Sequence, residues 1–571
     1  MQFYNDWAQR ILQGEVTGHN AFYGLPLYPY LLAFLYWLFG YSPFVPGVLQ
    51  ALLDAGTAVL IYQLSLHLFD SELIRRNSIL AEACFRKIFA AISALAWGLY
   101  VPAQAYSIVL MPTAWFVFVF WLIVSRISKA EKAPGLIESL ALGCLIGLTA
   151  MGVATILFLV PLILAAFILK PKANNPRTLY PAIALFVGLG LGTSPCWIHN
   201  YFIARDPVIL SAHSGVNFWI GNNPSANGYP RFPPGLRAGQ AAMLEDSITS
   251  AESAVGRPLK RAEVSAYWSA QAKSYIAHHF AEWLQLLLLK LRNFWSAFQY
   301  DDLSIITNLR EQGVILPGLY FGIVAALAIP GILVAWTTAP ASRWITAAIA
   351  LQMIALLPVF VTERYRLVVV PGMLVLGIFG LSIFWRTCVE GLYRQVTVYF
   401  AILAASVIFV SWPQRGPSLW ALDAYNSGWQ ALESGDLRLA EEKLSIARRY
   451  VPTNPETNFA LGNLRLAQNN NAAAFSFYQA TLKFDHDHRG ALNNLGVMAF
   501  DASRYELAEK WFRHAETLDP RNAKTHFLLA KTMLAKGDRR AAQLEIESAI
   551  RLRPSQREFE ELSRQIATKP D

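Results

Sequence analysis

Apolar positions follow two different rhythms along this chain. Up to about residue 412 they form near-continuous runs near 45–69, 88–103, 105–125, 178–198, 314–335, 344–361, 367–385 and 397–412. The 36-residue stretch 134–169 reads as two shorter runs. Roughly 17 to 25 apolar residues cross about 30 Å of hydrocarbon as a helix, so the pattern predicts about ten membrane crossings. From 421 onward the runs give way to amphipathic segments with a 34-residue period. Small residues recur at Ala440, Ala474, Ala508 and Ala542, and larger apolar ones at Leu444, Tyr478, Phe512 and Ile546. Gly428, Gly462 and Gly496 are followed in phase by Ala530, and Pro452, Pro520 and Pro554 share a phase that only His486 breaks. The fold class predicted is all-α: a polytopic transmembrane helical domain followed by an α-solenoid of helical repeats.

The expected organisation is a first extracytoplasmic loop with an interfacial helix (1–44), transmembrane helices (45–198), a large loop (199–313), transmembrane helices again (314–412) and a repeat domain (421–567) of four repeats plus a capping helix at Phe559–Ile566. In the first of these, Pro26 and Pro29 precede a short aromatic run ending at Phe39-Gly40, which suits an interfacial or re-entrant helix better than a span. Residues 1–21 are mixed polar and lack the apolar run of a signal peptide. An exported tail this elaborate usually follows an earlier crossing, so one more helix is expected upstream of Met1.

Charge supports this division and orients it. Of 571 residues 54% are hydrophobic and 15% charged; Lys/Arg against Asp/Glu stand at 27 to 19 in residues 1–420 and at 21 to 20 in 421–571. Cationic loops stay cytoplasmic, and Arg75, Arg76, Arg86 and Lys87, then Arg126, Lys129 and Lys132, then Lys170, Lys172 and Arg177, then Arg386 and Arg394 fall in alternate connections. Residues 1–44, the loop 199–313, the turn 362–366 and everything after about 413 are thereby assigned to the opposite face. The four cysteines are scattered and suggest no bridge. No basic stripe with interleaved aromatics marks a nucleic-acid surface.

The 34-residue period with these residue types resembles the tetratricopeptide repeat, paired antiparallel helices that stack into a superhelix and offer a surface to a protein or peptide partner. Phe3-Tyr4-Asn5-Asp6-Trp7, Pro26-Leu27-Tyr28-Pro29-Tyr30, Gly215-Val216-Asn217-Phe218-Trp219-Ile220-Gly221-Asn222-Asn223-Pro224, Val264-Ser265-Ala266-Tyr267-Trp268 and Arg364-Tyr365-Arg366 occur in this order. Over about residues 1–412 the chain is similar to GT-C superfamily membrane glycosyltransferases. Within them it resembles the bacterial branch of the protein O-mannosyltransferase and aminoarabinose-transferase type that carries tetratricopeptide repeats. The resemblance implies transfer of a sugar from a polyprenyl-phosphate donor to a hydroxyl at the periplasmic face of a bacterial inner membrane. No cofactor is expected, and the lack of a clustered Asp/Glu/His ligand set in the extracytoplasmic regions predicts no metal. The family's leading Asp would fall just upstream of Met1, a second acidic position matches Met111, and an Arg-Pro pair matches Val153-Ala154. These departures keep open a catalytically inactive scaffold with a peptide-binding repeat domain, and a ligase or polymerase of the O-antigen type.

Such a transfer needs a carboxylate to take the acceptor proton and cations to hold the departing phosphate. Asp6 and Glu15 are the carboxylates of the first loop, although Asp6 equally suits a cap for a helix over 7–13 and Glu15 simple solvation. Arg364 and Arg366, with Tyr365 between them, are the expected donor-phosphate site, because guanidinium groups grip phosphate through paired hydrogen bonds; snorkelling to lipid headgroups is the plain alternative. Tyr28, Asp54, Asn217, Trp219, Asn222 and Asn223 are candidate substrate contacts. Asp54 is singled out by its depth in a span, and Asn217, Trp219, Asn222 and Asn223 by amide groups beside an aromatic face. A helix–helix hydrogen bond for Asp54 and a set of turns for the asparagines are the competing structural roles. His278-His279 and Asp485-His486-Asp487-His488 are not read as metal ligands.

Overall fold

A computed structural model of the protein describes residues 2–70, 83–171, 179–231, 233, 236, 240–301, 305–311, 313–315, 317–413, 417–553 and 556–568. Arg75, Arg76, Lys172, Arg177 and Pro554, which entered the sequence argument, lie outside them. Among the described residues regular structure is helical, apart from an isolated bridge between Tyr100 and Leu319. The chain forms two compact units, Met1–Pro234 with Lys260–Gln414, and Gly235–Leu259 with Arg415–Asp571.

Among the described residues of the first unit, five helices are long and apolar enough to cross a membrane: Phe44–Phe69, Leu179–Ile203, Phe321–Thr338, Glu363–Val389 and Tyr393–Val410. The span expected over 105–125 is instead two helices, Val101–Ile108 and Thr113–Lys129, bent by 118°. The first helix ends at the extended Val109 and the second starts after Pro112, whose ring disfavours helical backbone at the residue before it and so keeps the two from joining. Leu27–Phe39, Leu136–Ala150, Ala154–Leu169 and Ser342–Leu356 are shorter apolar helices, so the ten runs of the sequence are not ten helices of full crossing length. Leu136–Ala150 and Leu179–Ile198 pack backbone to backbone: a Cβ on Gly143 would lie 2.1 Å from Leu185 O, and one on Gly188 2.2 Å from Leu140 O. Small residues that admit such an approach are the usual means of helix association where lipid supplies no hydrophobic drive. Glu363–Val389 is the most deeply buried of the long helices and runs through the core of the unit, which positions its first turn as a fixed platform.

The second unit contains the helix pairs Pro417–Glu433 with Leu437–Tyr450, Pro455–Ala467 with Asn471–Phe484, Arg489–Asp501 with Tyr505–Leu518, and Ala523–Ala535 with Arg539–Leu552, then Arg557–Thr568. The glycine phase has a packing cause. A Cβ on Gly428, Gly462 or Gly496 would meet Leu444, Tyr478 or Phe512 at 2.4 to 2.7 Å, whereas the fourth pair combines Ala530 with Ile546, smaller than the rings of the second and third pairs, and buries both. Side-chain caps begin most helices: Asp436, Asn454, Asn470, Asn522 and Asp538 accept from a backbone N–H two or three residues on, and His488 does the same for Ala491 through Nδ1 at 3.1 Å.

One segment departs from the expected division. Residues 199–313 read as a single loop, yet Gly235–Leu259 belongs to the second unit. Its helix Gln240–Val255 buries Met243, Ser247 and Ala251, spaced four apart and therefore on one face, and Ser253 donates to Asp519 Oδ1 at 2.8 Å.

Candidate functional site

The first turn of Glu363–Val389 carries three charged side chains with different surroundings. Thr362 caps it, its Oγ1 accepting from Tyr365 N at 3.4 Å. Glu363 and Arg366 point inward, 0% and 1% exposed, and pair with each other. Arg366 also donates to the carbonyls of Ser296 at 2.7 Å and Phe298 at 2.9 Å, at the end of helix Phe280–Trp295. Glu363 Oε1 accepts from Tyr100 at 2.7 Å and Gln299 at 3.2 Å. Arg366, expected at the donor phosphate, thus serves to close a helix C-terminus, where carbonyls lack partners.

Arg364 and Tyr365 are half-buried. The Arg364 guanidinium stands 4.8 Å from the Tyr365 ring centre, and Tyr365 packs on Phe360 at 6.1 Å. Tyr4 and His213 share this neighbourhood. Burial pushes the Tyr4 phenol above its ordinary range, with Arg364 drawing it back and Tyr365 adding to the rise. Burial also holds His213 below the usual imidazole value; its bond to Tyr23 opposes this and Arg364 adds to it. His213 Nδ1 lies 2.8 Å from Tyr23 O, which requires the proton on that nitrogen. The loop Ala21–Tyr23 is fixed from three sides. Asn200 Oδ1 accepts from Phe22 N at 2.9 Å, Ala212 N donates to Phe22 O at 2.9 Å, and Arg261 donates to Ala21 O. One cation, Arg364, and the rings of Tyr4, Tyr365 and His213 are thus brought together from three parts of the chain.

Asp6 and Glu15 are exposed. Asp6 lies inside helix Gln2–Leu12 and so does not cap a helix over 7–13; two residues from Tyr4, it projects from nearly the opposite side. Tyr28 donates to Gln50 Oε1 at 2.5 Å, and Gln50, fully buried, donates to Ser107 O and Val109 O at 3.0 and 2.8 Å. Asp54 Oδ1 accepts from Trp97 Nε1 at 3.1 Å, a bond between helices. Asn222 and Asn223 are buried and committed. Asn222 donates to Phe218 O and Pro358 O, and its Oδ1 accepts from Trp283 at 3.0 Å and Lys290 at 3.2 Å. Asn223 donates to Trp219 O and accepts from Ser225. Asn217 and Trp219 are half-buried, the indole 6.1 Å from that of Trp268. The structure thus brings Arg364 and Tyr365 together with residues not singled out beforehand, Tyr4 and His213, and uses Arg366, Asn222 and Asn223 as framework.

Lys290 is also absent from the sequence reading. It is 0% exposed, donates to Asn222 Oδ1 and to Leu357 O at 2.9 Å, and burial lowers its pKa to about 7. Its signal was a single lysine in Leu286-Leu287-Leu288-Leu289-Lys290-Leu291. In the second unit Glu516, His526 and Glu545 converge, their ligand-type atoms all within 4.8 Å of one another. Ten and nineteen residues apart on three helices, they show no motif spacing.

Comparison with known proteins bears on the second unit. The tetratricopeptide repeat family model matches residues 425–488 and 478–523, and the helix pairs there have that repeat's length and glycine–alanine phase; this part of the chain is a tetratricopeptide repeat domain. No curated protein matches. Among solved structures the chain is similar to pilF of Pseudomonas aeruginosa at 21% identity, over 27% of this chain and 69% of that one, with a TM-score of 0.25. It is also similar to YrrB, described as a repeat protein with an unusual peptide-binding site, at 15% identity, over 32% and 89%, TM-score 0.23. A third is the Cut9–Hcn1 hetero-tetramer of APC/C, at 13% identity, over 82% and 92%, TM-score 0.26.

Proposed function

We propose that the first unit transfers a sugar from a polyprenyl-phosphate donor to a hydroxyl acceptor at the periplasmic face of a bacterial inner membrane, and that the repeat domain holds a protein or peptide partner there. The observation that carries the reading is the half-buried Arg364, backed by the Tyr365 ring and grouped with Tyr4 and His213 at the first turn of a deeply buried span. A guanidinium kept partly dry by aromatic rings is suited to a phosphate whose negative charge grows as the sugar departs. A wholly apolar cleft of about 310 Å³, lined among others by Leu95, Leu99, Leu319, Met373 and Gly377, offers room for hydrocarbon beside the same span.

A second reading, a membrane scaffold without activity, is favoured by the placement of Asp6 and Glu15. Both are exposed, and neither joins the Arg364 cluster. The two readings diverge on donor binding. A photoactivatable polyprenyl-phosphate hexose in native membranes should label the wild-type chain and lose most of that labelling in Arg364→Ala; equal labelling of both would remove the assignment.

A further inference from the structure

The last inter-repeat interface is built unlike the one before it. Between the second and third helix pairs, the positions 34 residues upstream of Glu516, His526 and Glu545 are Leu482, Leu492 and Trp511, with Leu492 fully buried and Leu482 and Trp511 packed on the core around Tyr478. The next interface replaces this apolar trio with two carboxylates and an imidazole, and places Arg513 where Gln479 stood. His526 is 7% exposed and Glu545 9%. Charged groups are not moved to such a position without strong partners.

The hydrogen bonding orients all three side chains toward one point. His526 Nε2 lies 2.8 Å from Pro520 O, a pure acceptor, so that nitrogen carries the proton. Nδ1 faces two carboxylates, donating a second proton to Glu545 Oε2 at 2.7 Å and standing 3.6 Å from Glu516 Oε1. The other oxygens, Glu545 Oε1 and Glu516 Oε2, accept from Arg513 Nη1 at 2.5 and 2.9 Å. One imidazole nitrogen, which would release its proton to a metal, and two carboxylate oxygens thus face one another within 4.8 Å. A proton on Nδ1 would serve the shorter contact and leave Glu516 Oε1 beyond hydrogen-bond range. A divalent cation would serve all three. The imidazole is already oriented through its far nitrogen by a backbone carbonyl, and each carboxylate through its far oxygen by Arg513, the outer support that ligands of bound metals commonly receive.

We propose that Glu516, His526 and Glu545 form a binding site for a divalent transition metal of the zinc class, which joins the third repeat to the fourth. One nitrogen and two carboxylate oxygens suit borderline metals such as Zn²⁺ over Ca²⁺ or Mg²⁺. The residues span the turn between two repeats, so the metal fastens the end of the array against unravelling.

The test uses the full-length chain in detergent, stripped of metal and then titrated with Zn²⁺ against a chromophoric chelator. Three proteins are compared: wild type, Glu516→Gln, and a quadruple variant (Arg513→Gln, Glu516→Leu, His526→Leu, Glu545→Trp) that copies the preceding interface. All keep the four cysteines, which are free, so zinc held by thiols cancels in the comparison. Wild type should retain one more zinc per chain than the quadruple variant, and Zn²⁺ should raise its melting temperature by a few degrees while leaving the variant unmoved. Glu516→Gln, whose site is only partly buried and whose fold is not at risk, should bind at least tenfold more weakly. Equal zinc stoichiometry in wild type and quadruple variant, or undiminished affinity in Glu516→Gln, would overturn the proposal.

Discussion

Replacing Arg366 and Arg364 in turn separates framework from site. Arg366→Ala removes the partner of Glu363, which has no access to water, and strips the donors from Ser296 O and Phe298 O. Breaking a buried ion pair by removing one partner costs about 3–5 kcal/mol, and each carbonyl left without a donor adds about 1 kcal/mol. Together these approach about 5–7 kcal/mol, comparable with the whole stability of an ordinary domain. Arg364 is only half-buried, and its contacts include stacking on the Tyr365 ring and a long bond to that hydroxyl at 3.4 Å, so its removal should cost less than that of Arg366, about 1–2 kcal/mol. The assay is expression, size-exclusion profile and thermal unfolding of both variants in the same detergent. Arg366→Ala should express poorly or melt far below wild type; Arg364→Ala should match wild type within a few degrees. The double variant Glu363→Gln/Arg366→Met, which leaves no orphan charge, should recover part of the loss. If Arg366→Ala melts with Arg364→Ala, the division of roles is wrong.

Further outcomes follow from other sites. Lys290 should make stability rise with pH: its pKa falls from 10.5 to about 7 on folding, so the unfolded chain binds more protons between those values. The penalty, about 5 kcal/mol below pH 7, vanishes as pH approaches 10.5. Lys290→Met should therefore gain on wild type at pH 6.5 and lose that advantage at pH 10 in thermal melts; parallel curves would contradict the burial argument. Gly496→Ala should cost about 1–3 kcal/mol by driving a methyl into Phe512, and adding Phe512→Ile, which reproduces the Ala530–Ile546 pairing, should restore most of it in denaturant titrations. A reporter active only outside the cytoplasm should be active after Asp571 and silent near Lys132; the reverse would move Arg364 and the loops to the cytoplasmic side.

How much of this was legible in the sequence depended on the range of the interaction responsible. Hydrophobic runs and the 34-residue phase are local or periodic, and they gave the helical architecture and the repeats directly. The bend at Pro112 was a local signal overlooked within an apolar run. The roles of Arg364 and Arg366 could not be separated by inspection, because two arginines two residues apart differ only in which way the helix turns them. Asn222 and Asn223 looked available for sugar hydroxyls until the carbonyls of Phe218, Pro358 and Trp219 took their amides. Tyr4, His213 and Lys290 act through partners distant in sequence, as do Glu516, His526 and Glu545, and no spacing rule registers such contacts. The assignment of Gly235–Leu259 to the repeat unit has the same cause: its decisive bond, Ser253 to Asp519, spans 266 positions.

Donor turnover tests the central claim most directly. The chain reconstituted in proteoliposomes would be supplied with polyprenyl-phosphate hexoses and pentoses in turn, together with a periplasmic extract as acceptor, and release of free polyprenyl phosphate would be followed. Wild type should consume at least one of these donors, and Arg364→Ala, folded and present in equal amount, should consume it at least tenfold more slowly. Consumption of none of them above empty vesicles, or consumption that does not change in Arg364→Ala, would contradict the account.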